Sequence, residues 1–382
     1  LIPLAVPDLS GNEAKYLQDC IDSTFVSSVG PFVTRFEAEF ASRHGAAAGV
    51  AMGAGTLALH AGLMTLGVGP GDLVLVPSFT FIASVNAIAH CGAEPWFVDI
   101  DLGSWTMDPA ALARALSREA SQGPDGRVIH KATGRRIAAI LPVFTLGTPA
   151  DMHAIAACVE QYRLPVLADA AAAVGALYRG EALGGLATLT AFSFNGNKTM
   201  TTGGGGMLIG QNRALLAAAR HLTTTARVSP DYEHDRVGYN YRMTNVQAAL
   251  GCAQLERLDD LLAAKRAIRA RYDAELIDVG GQAFPSPAWA ESGCWFSGRI
   301  LDRAIHPPVK AVCATLAAQG IEARPFWKPV HLQKPFAHCP KEALPVTDTV
   351  WEQVLTLPCS VGLSIEDQAK VIGAVRATLR RR

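Results

Sequence analysis

The chain has 382 residues, 49% of them hydrophobic and 18% charged, and its 34 Lys and Arg balance its 34 Asp and Glu to a formal net charge of zero. That composition excludes a disordered or solvating chain, because enough apolar surface is present to offset the entropy of ordering, and the length predicts two to three domains or one large domain with an appendage. Nucleic-acid binders carry a basic excess, and none is present; the basic end Arg380, Arg381 and Arg382 reads as a solvated tail. No apolar run reaches the roughly 18 residues that span a bilayer, and the start LIPLAVPDLS lacks the basic n-region of a signal peptide. The eight cysteines, at 20, 91, 158, 252, 294, 313, 339 and 359, form no C-x-x-C pair. They read as buried free thiols in a reducing cytoplasm, with no metal site.

Strand and helix patterns alternate from about residue 45 to 210. GVAMG (49–53) is a short apolar strand and TLALHAGLMTLG (56–67) a helix stopped by glycine. DLVLVP (72–77) is a strand, FIASVNAIAHCG (81–92) a helix, EPWFVDI (94–100) a strand, and DPAALARALSREA (108–120) a helix opened by Asp108 and Pro109. The polar stretch 117–136 reads as an insertion or hairpin. RIAAILPV (136–143) and PVLADA (165–170) are strands around a helix at 149–163, and LTAFSF (189–194) and MLIG (207–210) flank a turn-rich segment. Repeated βα units with apolar strands predict an α/β fold whose mostly parallel sheet is covered on both faces.

One long helix is predicted over 245–276, linking a large domain (1–250) to a smaller C-terminal one (251–382). The latter is predicted to hold a strand at 294–301 and helices at 308–319, 348–356 and 364–379.

Ligands of open parallel sheets bind beyond the carboxyl ends of the strands, so the residues just after each strand carry the functional reading. Gly53-Ala54-Gly55-Thr56 opens a helix, where backbone amides and the helix dipole suit an anion such as phosphate; packing alone is the competing explanation. Asp169 ends an apolar strand, where a carboxylate needs a cation or donor; helix capping competes. Lys198 lies between an apolar strand and the glycines 203–206, and a desolvated lysine there has a lowered pKa and can form a Schiff base; an exposed turn lysine is the alternative. Four glycines in a row suggest unusual torsions or close backbone approach, and the spacing is not that of a P-loop. Two further segments are dense in donors and rings, Tyr232–Asn245 and Arg324–His331. An anion cup, a carboxylate for a ring nitrogen and a lysine for an aldehyde together match the three handles of pyridoxal phosphate.

The ordered stretches GAGTLALHAGLMTLGVGPGDLVLVPSFTFIASVNAI, EPWFVDID, GTPADM, DAAAAVGALYRG, FSFNGNKTMTTGGGGM and GYNYRMTNVQAALGCAQLERLD resemble the DegT/DnrJ/EryC1/StrS family of pyridoxal-phosphate sugar aminotransferases over nearly the whole chain. The resemblance implies an aspartate-aminotransferase-type fold (fold type I), with a large α/β domain and a small α+β C-terminal domain. It also implies a homodimer with shared active sites, a cytoplasmic setting and a place in lipopolysaccharide or other glycan biosynthesis. Residue by residue, Lys198 matches the Schiff-base lysine and Asp169 the partner of the pyridine nitrogen. Ser193, Gly55 and Thr56 match the phosphate cup, Asn195 adjoins it, Phe81 matches the ring that stacks on the cofactor, and Asn240 matches an asparagine reaching the neighbouring subunit's phosphate. Tyr239, Arg242, Trp327, Lys328 and His331 are the expected substrate residues. Ala172 departs from the pattern, because the family usually has Gln, Glu or His there, near the cofactor's ring oxygen.

Within the family, SFNGNK, RPFWKPVH and Gly204 in the glycine run look most like enzymes aminating UDP-2-acetamido-4-keto-2,6-dideoxy sugars, of the bacillosamine and legionaminic acid routes. A perosamine-synthase-like enzyme using GDP-4-keto-6-deoxymannose is the alternative. The implied reaction moves an amino group from L-glutamate to the C4 keto group of the sugar nucleotide, with pyridoxamine phosphate as the form between the two halves. A dehydratase branch has histidine in place of Lys198, and a non-catalytic regulator that keeps the fold is the remaining alternative class.

Overall fold

The computed structural model describes residues 1–380. Its central sheet is built from β1 (Ala48–Met52), β2 (Leu73–Pro77), β3 (Glu94–Val98), β4 (Ile137–Ile140), β5 (Leu167–Asp169), β6 (Leu189–Ser193) and β7 (Gly206–Gly210). β3 and β4 pair parallel with β2, and β5 pairs parallel with β6. The parallel bridges Ile140–Val166 and Val143–Asp169 join the two halves. The order is therefore β3-β2-β4-β5-β6-β7-β1, with β7 antiparallel to both neighbours. Almost every residue of these strands is buried, as expected of apolar runs covered on both faces.

The covering helices are α1 (Glu13–Asp22), α2 (Pro31–Arg43), α3 (Gly55–Thr65), α4 (Ile82–His90), α5 (Pro109–Glu119), α6 (Met152–Val159), α7 (Arg213–Thr223) and α8 (Asn245–Glu256). α1, α2 and α7 were not foreseen in the sequence. α2 buries Phe36 and Phe40 against Phe192 and Phe194 of the sheet side, with ring centroids 5.1–5.2 Å apart. The polar stretch after α5 forms a hairpin of Ala120–Gln122 and Val128–His130.

The helix predicted over 245–276 is two helices. α8 opens on a capping box of Thr244 and Gln247, and the chain breaks at Arg257 (φ −110°, ψ 9°) before α9 (Leu258–Glu275). Arg257 bonds Asp8 at 2.8 Å there, a long-range contact that local periodicity does not register. Beyond α9 a second sheet forms from β8 (Ser297–Ile300), β9 (Arg324–Pro325) and β10 (Val354–Leu357), all antiparallel, with β10 in the middle. α10 (Val309–Ala317), α11 (Pro345–Val350) and α12 (Ile365–Leu379) accompany it. The helix predicted at 348–356 ends at Val350, because Val354–Leu357 pairs on both edges and strand pairing wins over the helical spacing. The first residues belong with this unit: Ile2 bridges Ile321, and Leu4 accepts from the Cys359 amide at 2.8 Å.

All eight cysteines are free thiols. Arg380 pairs with Asp278 rather than standing free, while Arg381 and Arg382 lie outside the described residues. No described helix is long and apolar enough to cross a membrane.

Two glycines test this packing in opposite directions. A Cβ on Gly298 of β8 would lie 1.9 Å from the Leu355 carbonyl oxygen, whereas one on Gly373 of α12 would meet nothing within 4 Å. In urea unfolding, Gly298→Ala is expected to lose about 3 kcal/mol and Gly373→Ala to gain about 0.5–1 kcal/mol.

Candidate active site

A cavity of about 470 Å³ opens at the carboxyl ends of β2, β4, β5 and β6 and is closed from the other side by Trp295, Phe296, Arg324, Phe326 and Trp327 of the C-terminal unit. Its floor is set by backbone approach. A Cβ on Gly55 would lie 2.6 Å from Ser193 Cβ, and one on Gly206 would lie 2.6 Å from the Ala54 carbonyl oxygen. Only glycine lets the first turn of α3 sit against the end of β6. No side chain caps α3, so its first amides remain available to an anion, with Thr56, Ser193 and Asn195 around them. The glycine run does have unusual torsions: Gly203 has φ +80° and Gly205 φ +149°. Gln247 donates to the Gly204 carbonyl at 2.9 Å and holds the loop.

Asp169 is the last residue of β5 and is buried. Burial pushes its carboxyl above the usual range; the Ser84 hydroxyl at 2.6 Å on Oδ2, the Ala171 amide at 3.0 Å on Oδ1 and the charge of Lys198 act against that. Ser84 shares a hydrogen bond with Thr80 Oγ1 at 2.8 Å. A buried carboxylate that has neutral donors but no ion pair, and that faces a cavity, suits a cationic ring nitrogen. Lys198 projects into the same cavity from the loop between β6 and β7. Burial lowers its pKa to about 8 against the opposing pull of Asp169, so a useful fraction of the amine is a neutral nucleophile near pH 7.

Of the residues expected from sequence, Gly55, Thr56, Phe81, Asp169, Ala172, Ser193, Asn195, Lys198 and Trp327 line this one cavity. Phe81 and Trp327 pack against each other at its wall, with ring centroids 5.9 Å apart. Other expected residues lie elsewhere. Tyr239, Asn240 and Arg242 stand outside the cavity, on the segment before α8. Tyr239 packs on Tyr241 at 4.8 Å, and exposed Asn240 accepts from Arg242 at 3.3 Å. Lys328 is exposed and does not line the cavity. His331 is buried, with Nδ1 2.7 Å from Ser78 Oγ and Nε2 3.0 Å from Asp348 Oδ1; it ties the end of β2 to α11 and is not among the residues lining the cavity. Ser84 and Trp295 were missed. A serine inside the apolar pattern of α4 was the available signal for the first; no local signal marks the second.

An uncapped helix start, a buried carboxylate and a depressed lysine around one cavity fit the chemistry of pyridoxal phosphate, and the fold is that of pyridoxal-phosphate-dependent aminotransferases of fold type I. The chain belongs to the DegT/DnrJ/EryC1/StrS aminotransferase family, whose profile matches residues 7–376. It is 39% identical to GDP-perosamine synthase of Caulobacter vibrioides over 99% of this chain and 98% of that protein. It is 34% identical to GDP-perosamine synthase of Vibrio cholerae over 97% of each. Among solved structures, the PLP form of Spr1654 from Streptococcus pneumoniae matches with a TM-score of 0.88 and 25% identity, over 99% of this chain and 98% of that one.

The neutral amine is the species that attacks an aldehyde. Capture of pyridoxal phosphate by the apoprotein, followed by its visible absorption band, is therefore expected to accelerate with pH and to level off above about 8. A rate still climbing toward the pKa of a free lysine, about 10.4, would contradict the burial of the amine.

Proposed function

We propose that this enzyme transfers an amino group from L-glutamate to the C4 keto group of GDP-4-keto-6-deoxymannose. What carries the choice of nucleotide is the near full-length similarity to two GDP-perosamine synthases. The UDP-2-acetamido-4-keto-2,6-dideoxy sugar remains the second acceptor, because Gly204, at a position where perosamine synthases usually carry glutamate, lines the cavity. Free thiols at all eight cysteines suit a cytoplasmic enzyme, and an amino sugar nucleotide is a precursor for glycan or lipopolysaccharide assembly.

In this reading, Gly55, Thr56, Ser193 and Asn195 bind the cofactor's phosphate, Phe81 covers its ring, and Asp169 holds its nitrogen protonated with help from Ser84. Ala172 leaves room beside the ring that a larger side chain would fill. When bound, pyridoxal phosphate supplies an electron sink for the carbon that loses its proton. Lys198 would hold the aldehyde of the bound cofactor, and its amine, when free, would move the proton at the donor carbon as a general base. The same amine returns a proton to the sugar's C4 in the second half. Arg324, a cation at the cavity wall, is set to meet a phosphate or carboxylate.

The test offers glutamate and a panel of GDP-, UDP- and dTDP-4-keto sugars to the enzyme and identifies the product. GDP-perosamine as the dominant product is expected; amination of the UDP sugar alone would move the assignment to the second acceptor. Lys198→Ala is expected to lower kcat by at least about 10³-fold, given the usual size of general-base effects combined with loss of the nucleophile.

The proposal includes a homodimer, because Asn240 lies outside its own cavity and is exposed. Mixing inactive Lys198→Ala with inactive Asn240→Ala chains is expected to recover about a quarter of wild-type activity through statistically formed mixed dimers. No recovery would mean that one chain supplies both Asn240 and Lys198 to a site.

A further inference from the structure

Lys198 has an aromatic partner from the other side of the cavity. Its Nζ lies 3.6 Å from the centroid of the Trp295 ring. Trp295 comes from the C-terminal unit, just before β8, and hydrogen bonds fix it, among them a weak one from the Cys359 thiol to its carbonyl at 3.6 Å. Its amide donates to the Leu146 carbonyl at 3.1 Å. Its own carbonyl accepts from buried Lys265 Nζ at 3.1 Å. Its indole Nε1 donates to the Asn197 carbonyl at 2.7 Å. Asn197 immediately precedes Lys198, so the ring is tied to the lysine's own loop. Phe296 at 4.2 Å and Trp327 at 5.9 Å back it.

An ammonium over an indole face is attracted by the ring quadrupole, and more strongly where water is thin. The other charged groups lining the cavity are Asp169 from β5, which attracts the ammonium, and Arg324 from β9, which repels it. Asp169 is already held by Ser84 and Ala171, and Lys198 takes part in none of the ion pairs found among the described residues. The indole is thus the nearest stabilising partner of the charged amine.

We propose that Trp295 is a positioning residue for Lys198, its indole face being the seat the lysine ammonium occupies whenever the amine is not covalently engaged. This rests on Lys198 being the cofactor-binding lysine. Seated there, the protonated side chain stays beside the reacting atoms and returns to one geometry at each turnover. The seat also requires the C-terminal unit to be docked, so the lysine is poised only in the assembled fold. An aliphatic replacement keeps the wall dry but has no quadrupole, so it should make the ammonium less stable and the amine easier to deprotonate.

The experiment measures the pH profile of pyridoxal phosphate capture by the apoproteins of wild type, Trp295→Phe and Trp295→Leu, with near-UV circular dichroism confirming that each is folded. In Trp295→Leu the midpoint is expected to fall by about one pH unit and the plateau rate by about tenfold, because the amine is no longer held in place. Trp295→Phe, which keeps a weaker π face, is expected to recover part of both. Equal midpoints in all three proteins, or a midpoint that rises with leucine, overturn the proposal. Should the leucine variant not fold, the phenylalanine variant decides alone, and an unmoved midpoint there overturns it. A wild-type apoprotein that captures no cofactor at any pH refutes the assignment of Lys198 itself, and this proposal with it.

Discussion

The structure depends on keeping two opposite ionisable groups out of water in one cavity without letting them neutralise each other. Asp169 and Lys198 both titrate away from their ordinary ranges because burial penalises each charge. A direct ion pair would relieve that cost and remove the chemistry. Instead the carboxylate is bound by a hydroxyl and an amide, and the ammonium rests on an indole. Each faces the same cavity, and in the proposed function that space takes a cationic ring nitrogen and an aldehyde.

The parallel sheet makes that arrangement possible. β5 and β6 are adjacent and parallel, so Asp169 at the end of one lies across from Ala191 in the other, close to where β6 runs on into the loop carrying Lys198. The reversal of β7 brings the glycine run back under α3, and the absence of side chains at Gly55 and Gly206 lets the helix start approach the strand end. The candidate anion cup is thus a consequence of the sheet order, with the helix dipole supplying the charge. The C-terminal unit then acts as the lid of the cavity, contributing Trp295, Arg324 and Trp327.

His331 shows how a residue in a suggestive motif can also serve the frame. It sits among cations, rings and prolines, the composition of a binding loop, yet its ring bridges Ser78 and Asp348. That bridge fastens the loop carrying Trp327 to the end of β2. The residue contributes to the cavity through its neighbours, and it is buried with both ring nitrogens engaged by protein groups.

What the sequence determined by itself was much of what has a local cause, though α1, α2 and α7 escaped it. The apolar strands, the helix starts and the glycine stops follow from periodicity and backbone chemistry, and Asp169, Lys198 and the Gly55-Thr56 turn follow from chemistry-bearing residues at strand ends. The tertiary structure alone decided what depends on distant pairing. The helix breaks at Arg257, whose side chain meets Asp8, and Val354–Leu357 becomes a strand because two partners flank it. Ser84 meets Asp169 across 85 positions of chain, and Trp295 meets Lys198 from the other side of the cavity. Those contacts join segments with no shared periodicity, so no window of neighbouring residues contains the information that makes them.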